Sequence, residues 1–177
     1  FTLTTAIDSF TGGNAADTFT AANSATNAAN QTFNTGDSLV GGGGSDTLNA
    51  TIGVAATYQA NNVSGIETIN GTFSAAGTIS LLGSTGVTTI NSNASTAAAI
   101  FTNIASTDVA LKATSTDQNA TYTFTSTAVE GSADSATLTL SNVTAGTHTI
   151  AGIETLNIVS SGGPNALTAL TAAAATT

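Results

Sequence analysis

Asp46-Thr47-Leu48-Asn49, Glu67-Thr68-Ile69-Asn70, Thr88-Thr89-Ile90-Asn91 and Val109-Ala110-Leu111-Lys112 state one short phrase four times. Their apolar third positions, 48, 69, 90 and 111, are each 21 residues apart. A second series keeps the same step through Tyr58, Ile79 and Ile100, and Tyr122 arrives one residue late. Each segment is short, rich in β-formers and bounded by Gly, Asn, Ser or Thr, the pattern of a strand between turns. No helical period persists. Two strand series sharing a period near 20 residues imply coils that stack and pair with the coils above and below. The expected fold is therefore all-β: a parallel β-solenoid, of β-roll or β-helix type, with coils of about 21 residues. Dividing the 177 residues by that step gives about eight coils. At roughly 4.8 Å per strand step the rod would be about 40 Å long.

Further along, the register loosens. Leu138 and Leu156 look like later copies at steps of 27 and 18. The phrase Ser64-Gly65-Ile66-Glu67-Thr68-Ile69-Asn70 returns as Ala151-Gly152-Ile153-Glu154-Thr155-Leu156-Asn157, 87 residues later, close to four coils plus an insertion. Residues 21–33 and 126–136 are the expected insertions. Neither is a linker by composition, so one continuous solenoid is expected, with residues 1–50 forming its opening coils and 51–177 continuing it as a segment that a longer chain could extend.

Composition excludes several classes of function. Only 6% of residues are charged, with ten acids against one basic residue, Lys112, and a net charge of −9. Nucleic acid and anionic membrane surfaces both need clustered Lys and Arg, so neither is an expected partner. Low charge alone could signal disorder, but the chain is 41% apolar with positive mean hydropathy, which favours a packed fold. Cysteine is absent, so neither disulfides nor thiolate metal sites contribute. No apolar run approaches the roughly 20 residues that span a bilayer, and no basic, apolar leader opens the sequence. With one histidine, no cysteine and no arginine, a Ser-His-Asp or Cys-His constellation is not credible, and no enzyme is expected.

Ten carboxylates with almost no counter-charge call for a cation. Gly41-Gly42-Gly43-Gly44-Ser45-Asp46-Thr47-Leu48-Asn49 matches the calcium nonapeptide G-G-x-G-x-D-x-U-x at every fixed position. Its glycines permit a tight turn that aims carbonyls at one point, the aspartate adds a hard anionic oxygen, and the leucine anchors the strand. A weaker copy, Gly12-Gly13-Asn14-Ala15-Ala16-Asp17-Thr18-Phe19-Thr20, has Ala15 in place of the third glycine. Each copy is preceded by an acid, Asp8 or Asp37, and the pairs 8/37 and 17/46 are both 29 apart. The candidate Ca²⁺ ligands are Asp8, Gly12, Gly13, Asp17, Asp37, Gly41, Gly42, Gly44 and Asp46.

Residues 8–49 resemble the RTX calcium-binding repeat. The remainder, with its Gly-Ile-Glu-Thr-Ile-Asn and Gly-Ile-Glu-Thr-Leu-Asn phrases in Thr/Ala/Asn-rich coils, resembles the large RTX-type surface-layer (S-layer) proteins of Gram-negative bacteria. That resemblance implies export by a type I secretion system, calcium-triggered folding outside the cell and self-assembly into a coat. The expected role is an extracellular structural protein at the cell surface, a homo-oligomer or lattice joined through calcium-bridged contacts, with a cell-surface polysaccharide as a candidate anchor. The alternatives are an adhesin or matrix module, or the calcium-binding RTX tail of a larger secreted enzyme or toxin.

Other polar residues have plainer readings. Glu67 and Glu154 are expected to hydrogen-bond at coil corners. Glu130, Gly131 and Asp134 form an acidic loop, and Asp108 and Asp117 are expected in solvent or between subunits. His148 is expected at the surface and Lys112 in a surface ion pair. The Asn-x-Ser/Thr sequons arise easily in so Asn- and Thr-rich a chain. The tail, 166–177, is expected to fray or to begin another coil.

Overall fold

Alternation does most of the work in Thr47–Ile52 and Thr68–Phe73. Leu48, Ala50 and Ile52, then Ile69, Gly71 and Phe73, turn inward, while Thr, Asn and Thr turn out each time. Successive side chains on a strand point to opposite faces, so this pattern builds a sheet with one buried and one solvated side. In the computed structural model, which describes residues 1–23 and 28–173, the strands are β1 (Ser9–Thr11), β2 (Thr18–Ala21), β3 (Ser38–Val40), β4 (Thr47–Ile52), β5 (Thr57–Tyr58), β6 (Asn62–Ser64), β7 (Thr68–Phe73), β8 (Gly77–Ser80), β9 (Thr89–Asn93), β10 (Ala99–Ile104), β11 (Ala110–Thr114), β12 (Ala120–Phe124), β13 (Ser135–Ser141), β14 (Thr147–Ala151), β15 (Thr155–Ser161) and β16 (Ala169–Ala173).

All pairings are parallel. A seven-stranded sheet runs β2-β4-β7-β9-β11-β13-β15, and a six-stranded sheet runs β5-β8-β10-β12-β14-β16. A third, β1-β3-β6, walls the early coils and ends at a bridge from Ser64 to Thr85. The protein is a parallel β-solenoid of about six turns with a spacing near 21 residues. Eight coils were expected; inserted residues account for part of the difference, the step being 29 residues from β2 to β4 and 27 from β11 to β13. Both long steps fall at the expected insertions, although residues 24–27 of the first lie outside the described residues. Seven strands at about 4.8 Å make a sheet roughly 29 Å along the axis, shorter than the 40 Å expected. The ladder passes residue 50 unbroken, since β4 pairs with β7 over six residues. Residues 169–173 of the tail form a strand on β14, and residues 174–177 lie outside the described residues.

The core is a set of apolar columns. Phe19, Leu48, Ile69, Ile90, Leu111 and Leu138 stack in register and are fully buried. The next rung is Ile158, not Leu156, which pairs with Ala136 instead. In the second column Ile79 is followed by Phe101, not Ile100. The step from β8 to β10 is 22, so one extra residue sits between β9 and β10, where Ala94 takes a left-handed φ of 47°. A single inserted residue moves a strand's side chains to the opposite face. Ile100 therefore joins the outer face beside Thr78 and Thr121, and Phe101 enters the core. There it packs edge-on against Phe73 and face-on against Tyr122, with ring centres 5.5 Å away in each case. The slip is reversed at Asn103, a left-handed residue (φ 59°) where the β10–β12 register shifts.

His148 also departs from expectation. It is fully buried, between Ala120 and Leu170 in the strand register, rather than at the surface. Even-numbered residues of β14 face inward, and position 148 continues the small-residue column of Ala99 and Ala120. Lys112 lies on the outer face between Asn91 and Thr139, so no acid flanks it across the strands.

Candidate metal corner

Immediately before the strands of the large sheet, the coils turn a corner built from carboxylates. Asp17 N–H donates to Asp46 Oδ1 (2.7 Å), and Asp46 N–H donates to Glu67 Oε2 (2.7 Å). Asp134 N–H likewise donates to Glu154 Oε2 (2.8 Å). Each acid therefore accepts the backbone N–H of its counterpart one coil earlier. An N–H at a corner has no ladder partner and would be costly to bury alone; a carboxylate acceptor gives the stronger, charge-assisted bond.

The recurring Gly-Ile-Glu-Thr-Ile/Leu-Asn phrase is this corner written in sequence. Gly65 (φ 58°) and Gly152 (φ 84°) make left-handed turns, and Ile66 and Ile153 bury beneath them. Glu67 and Glu154 then accept the N–H below. In the first phrase Asn70 Nδ2 donates to Asn49 Oδ1 (2.9 Å), and Asn91 Nδ2 donates in turn to Asn70 Oδ1 (3.3 Å).

The glycine turns lie at the same corner and stack on one another. Gly43 N–H donates to the Gly13 carbonyl (2.8 Å), and Gly41 N–H to the Ser64 carbonyl (2.9 Å). A Cβ on Gly41 would overlap the Gly65 carbonyl oxygen and stand 2.5 Å from Asp46 Oδ2. Gly42 and Gly44 have φ of 96° and 114°, closed to ordinary side chains. Gly43 alone of the four has neither constraint: its Cβ would make an ordinary 3.6 Å contact with Asn14 Cα. The variable position of the nonapeptide is the position with room.

The four aspartates of the sequence reading fall into two corners with different chemistry. At the first, Asp8 N–H donates to Asp37 Oδ1 (2.9 Å) and Asn34 N–H to Asp37 Oδ2 (2.7 Å), while Thr4 donates from its backbone and hydroxyl to the Asp8 carboxylate. Burial pushes the Asp37 carboxyl above its usual range, against the lowering effect of those N–H donors. Every oxygen of this pair already has a hydrogen-bond donor. At the second, Asp17 Oδ2 accepts from Gly13 N–H (2.7 Å). Asp46 differs: the residue is 1% exposed, and its Oδ2 is buried without a hydrogen-bond partner. An anionic oxygen taken from water without compensation is costly, and a hard cation is the partner that such an oxygen lacks.

The residues at Asp46 thus fit Ca²⁺ in kind. Among the described residues no three His, Cys, Asp or Glu side chains come together as a metal group, so remaining ligands would be carbonyl oxygens of the stacked turns. Asp134 Oδ2 is a second buried oxygen without a partner, in the loop expected to be acidic. The sequence pointed to Asp46 through the glycines, and it anticipated the corner bonds of Glu67 and Glu154. It did not reveal the donors that the Asp8 and Asp37 carboxylates meet, because Thr4 and Asn34 carry no motif.

Both ring nitrogens of His148 are buried without partners, and burial lowers its pKa below the usual histidine value. Among the described residues no helix is long and apolar enough to cross a membrane. No protein-family model, no curated protein and no solved structure matches the chain.

Proposed function

We propose that this chain is a structural segment of an extracellular, calcium-stabilised coat, a rod that gives form rather than catalysis. The observation that carries the reading is the buried, partnerless Oδ2 of Asp46 inside a strict glycine turn. A cation there would tie two stacked coils and remove the cost of that oxygen. The enclosure of the one histidine in the core, together with the absence of arginine and cysteine, supports a role without catalysis.

The test is thermal unfolding followed by circular dichroism in millimolar Ca²⁺ and in excess EGTA, with light scattering on the same samples. The reading expects a higher melting point and large assemblies with Ca²⁺ alone. Asp46→Asn should lose most of the Ca²⁺ response while keeping an Oδ1 acceptor for Asp17 N–H. A wild-type melt and scattering profile indifferent to Ca²⁺ would leave the glycine turns as turns and overturn the proposal.

A further inference from the structure

Midway through the coils the solenoid changes from three walls to two. Residues 81–88 connect β8 to β9 and still touch the third wall at the bridge from Ser64 to Thr85, whereas only residues 105–109 connect β10 to β11. Among the described residues no strand or bridge carries that wall past Thr85. Its inward column, Phe10, Leu39 and Val63, therefore has no apolar successor, because one residue back from the bridge the register puts Ser84 beside Val63. The step leaves a part-open cavity of about 240 Å³ walled by Leu81, Val87, Ile90, Ile104 and Val109, and none of the residues lining it is charged. The turn Leu81–Ser84 stands at its rim. Ser84 N–H donates to the Leu81 carbonyl (2.9 Å), Gly83 takes a left-handed φ of 78°, and Leu82 at the tip is 56% exposed. Turns favour Gly, Pro, Asn, Asp and Ser, so an aliphatic tip is unusual. Among the described residues from 8 to 157, Leu82 is the one large apolar side chain left exposed.

We infer that the cavity receives Leu82 of a second copy of this chain. Knob and hole lie side by side on one surface, since Leu81 and Ser84 belong both to the turn and to the cavity wall. A two-fold axis between two copies then sets each Leu82 over the other's cavity, an interface that is self-complementary and closes at two. The size fits: a cavity of about 150 Å³ lined by Leu, Ile and Phe stays dry and holds a benzene ring, so a larger one of the same chemistry takes an isobutyl group. Filling both cavities removes apolar surface from water on both copies. The net charge of −9 opposes association, but neither the turn nor the cavity lining carries a carboxylate, and the neighbouring Asp108 is exposed, where salt screens it. The inference gives the coat reading one contact between copies, yet it is carried by the cavity and does not rest on calcium.

The experiment is analytical ultracentrifugation of the whole chain from micromolar to millimolar concentration, at low and high NaCl and below the melting point. It is run in excess EGTA, where calcium-linked assemblies are absent, and again in millimolar Ca²⁺, so that loss of the calcium response and loss of this contact are read separately. Wild type is expected to pass reversibly from monomer to dimer in EGTA, more tightly at high salt. Leu82→Ser should weaken the dimer about a hundredfold or more, because both knobs are lost at once, with an unchanged circular-dichroism melt. Val87→Phe, which grows into the cavity from its wall, should weaken the dimer while leaving Leu82 in place. Ile7→Ser removes a still more exposed apolar side chain (75%) from another corner and should dimerise like wild type. A wild type that stays monomeric at millimolar concentration in both buffers overturns the proposal, even where hexanol raises its melting point by entering the cavity. So does a dimer that Leu82→Ser or Val87→Phe leaves as tight as before, or one that Ile7→Ser dissolves.

Discussion

Replacing Gly41 and Gly43 separately by alanine should divide the nonapeptide into one position fixed by packing and one left free. At Gly41 the added Cβ overlaps the Gly65 backbone carbonyl and meets Asp46 Oδ2 at 2.5 Å, so relief requires the corner of one coil to lift from the next. Overpacking of this kind costs about 1–3 kcal/mol. Lifting the corner also strains the bonds from Gly41 N–H to Ser64 and from Gly43 N–H to Gly13, each worth about 1 kcal/mol net. The expected loss is about 3–5 kcal/mol, or a fall in melting point of roughly 10 °C for a chain of this size. At Gly43 the Cβ has ordinary contact and no left-handed φ is required. Alanine there removes freedom from the unfolded chain, so stability should be unchanged or rise by about 0.4–1 kcal/mol. Circular-dichroism melts of both variants, each with Ca²⁺ and with EGTA, give the answer. If Gly43→Ala loses as much as Gly41→Ala, or if Gly41→Ala melts like wild type in EGTA, then coil-to-coil contact is not what fixes these glycines.

Other consequences are direct. Phe101→Ala should cost about 3–5 kcal/mol, because it empties the ring stack between Phe73 and Tyr122, while Ile100→Thr on the outer face should change the melt little. His148 is held neutral by burial, with a folded pKa below its unfolded value, so its contribution is complete above about pH 6.5 and fades as pH falls below that value. Between pH 7.5 and 5.5 the loss should not exceed about 1.4 kcal/mol, and His148→Leu should flatten the melting point across that window. Tyr122→Phe removes the hydrogen bond from the buried phenol to the Lys112 carbonyl and should cost about 1–2 kcal/mol by denaturant melt. Trypsin can cut only after Lys112, which lies in β11 between two paired strands; the folded rod should survive and the unfolded chain should give two fragments by mass spectrometry.

The period, the parallel class and the two insertions were legible because stacking places like beside like: Leu48, Ile69, Ile90 and Leu111 must match at fixed distance for the ladder to close. The same reasoning failed one residue at a time. Ile100 and Phe101 are both apolar neighbours, and which of them is buried depends on a left-handed Ala94 several residues earlier. Leu156 and Ile158 pose the same choice, settled by a 20-residue step from β13 that follows a 27-residue step.

At the candidate site the division has the same cause. By itself the sequence determined that Gly42 and Gly44 belong to a tight turn and that Asp46 follows it, because φ requirements and motif spacing are local, whereas Gly41 is required by the neighbouring coil. Only the tertiary structure decided what each carboxylate does. The Asp8 carboxylate is answered by Thr4, that of Asp37 by the N–H groups of Asn34 and Asp8, that of Glu67 by a backbone N–H 21 residues earlier, and Asp46 keeps one oxygen buried and unanswered. Those partners sit on neighbouring coils, and which donor a carboxylate meets is fixed by how the coils stack.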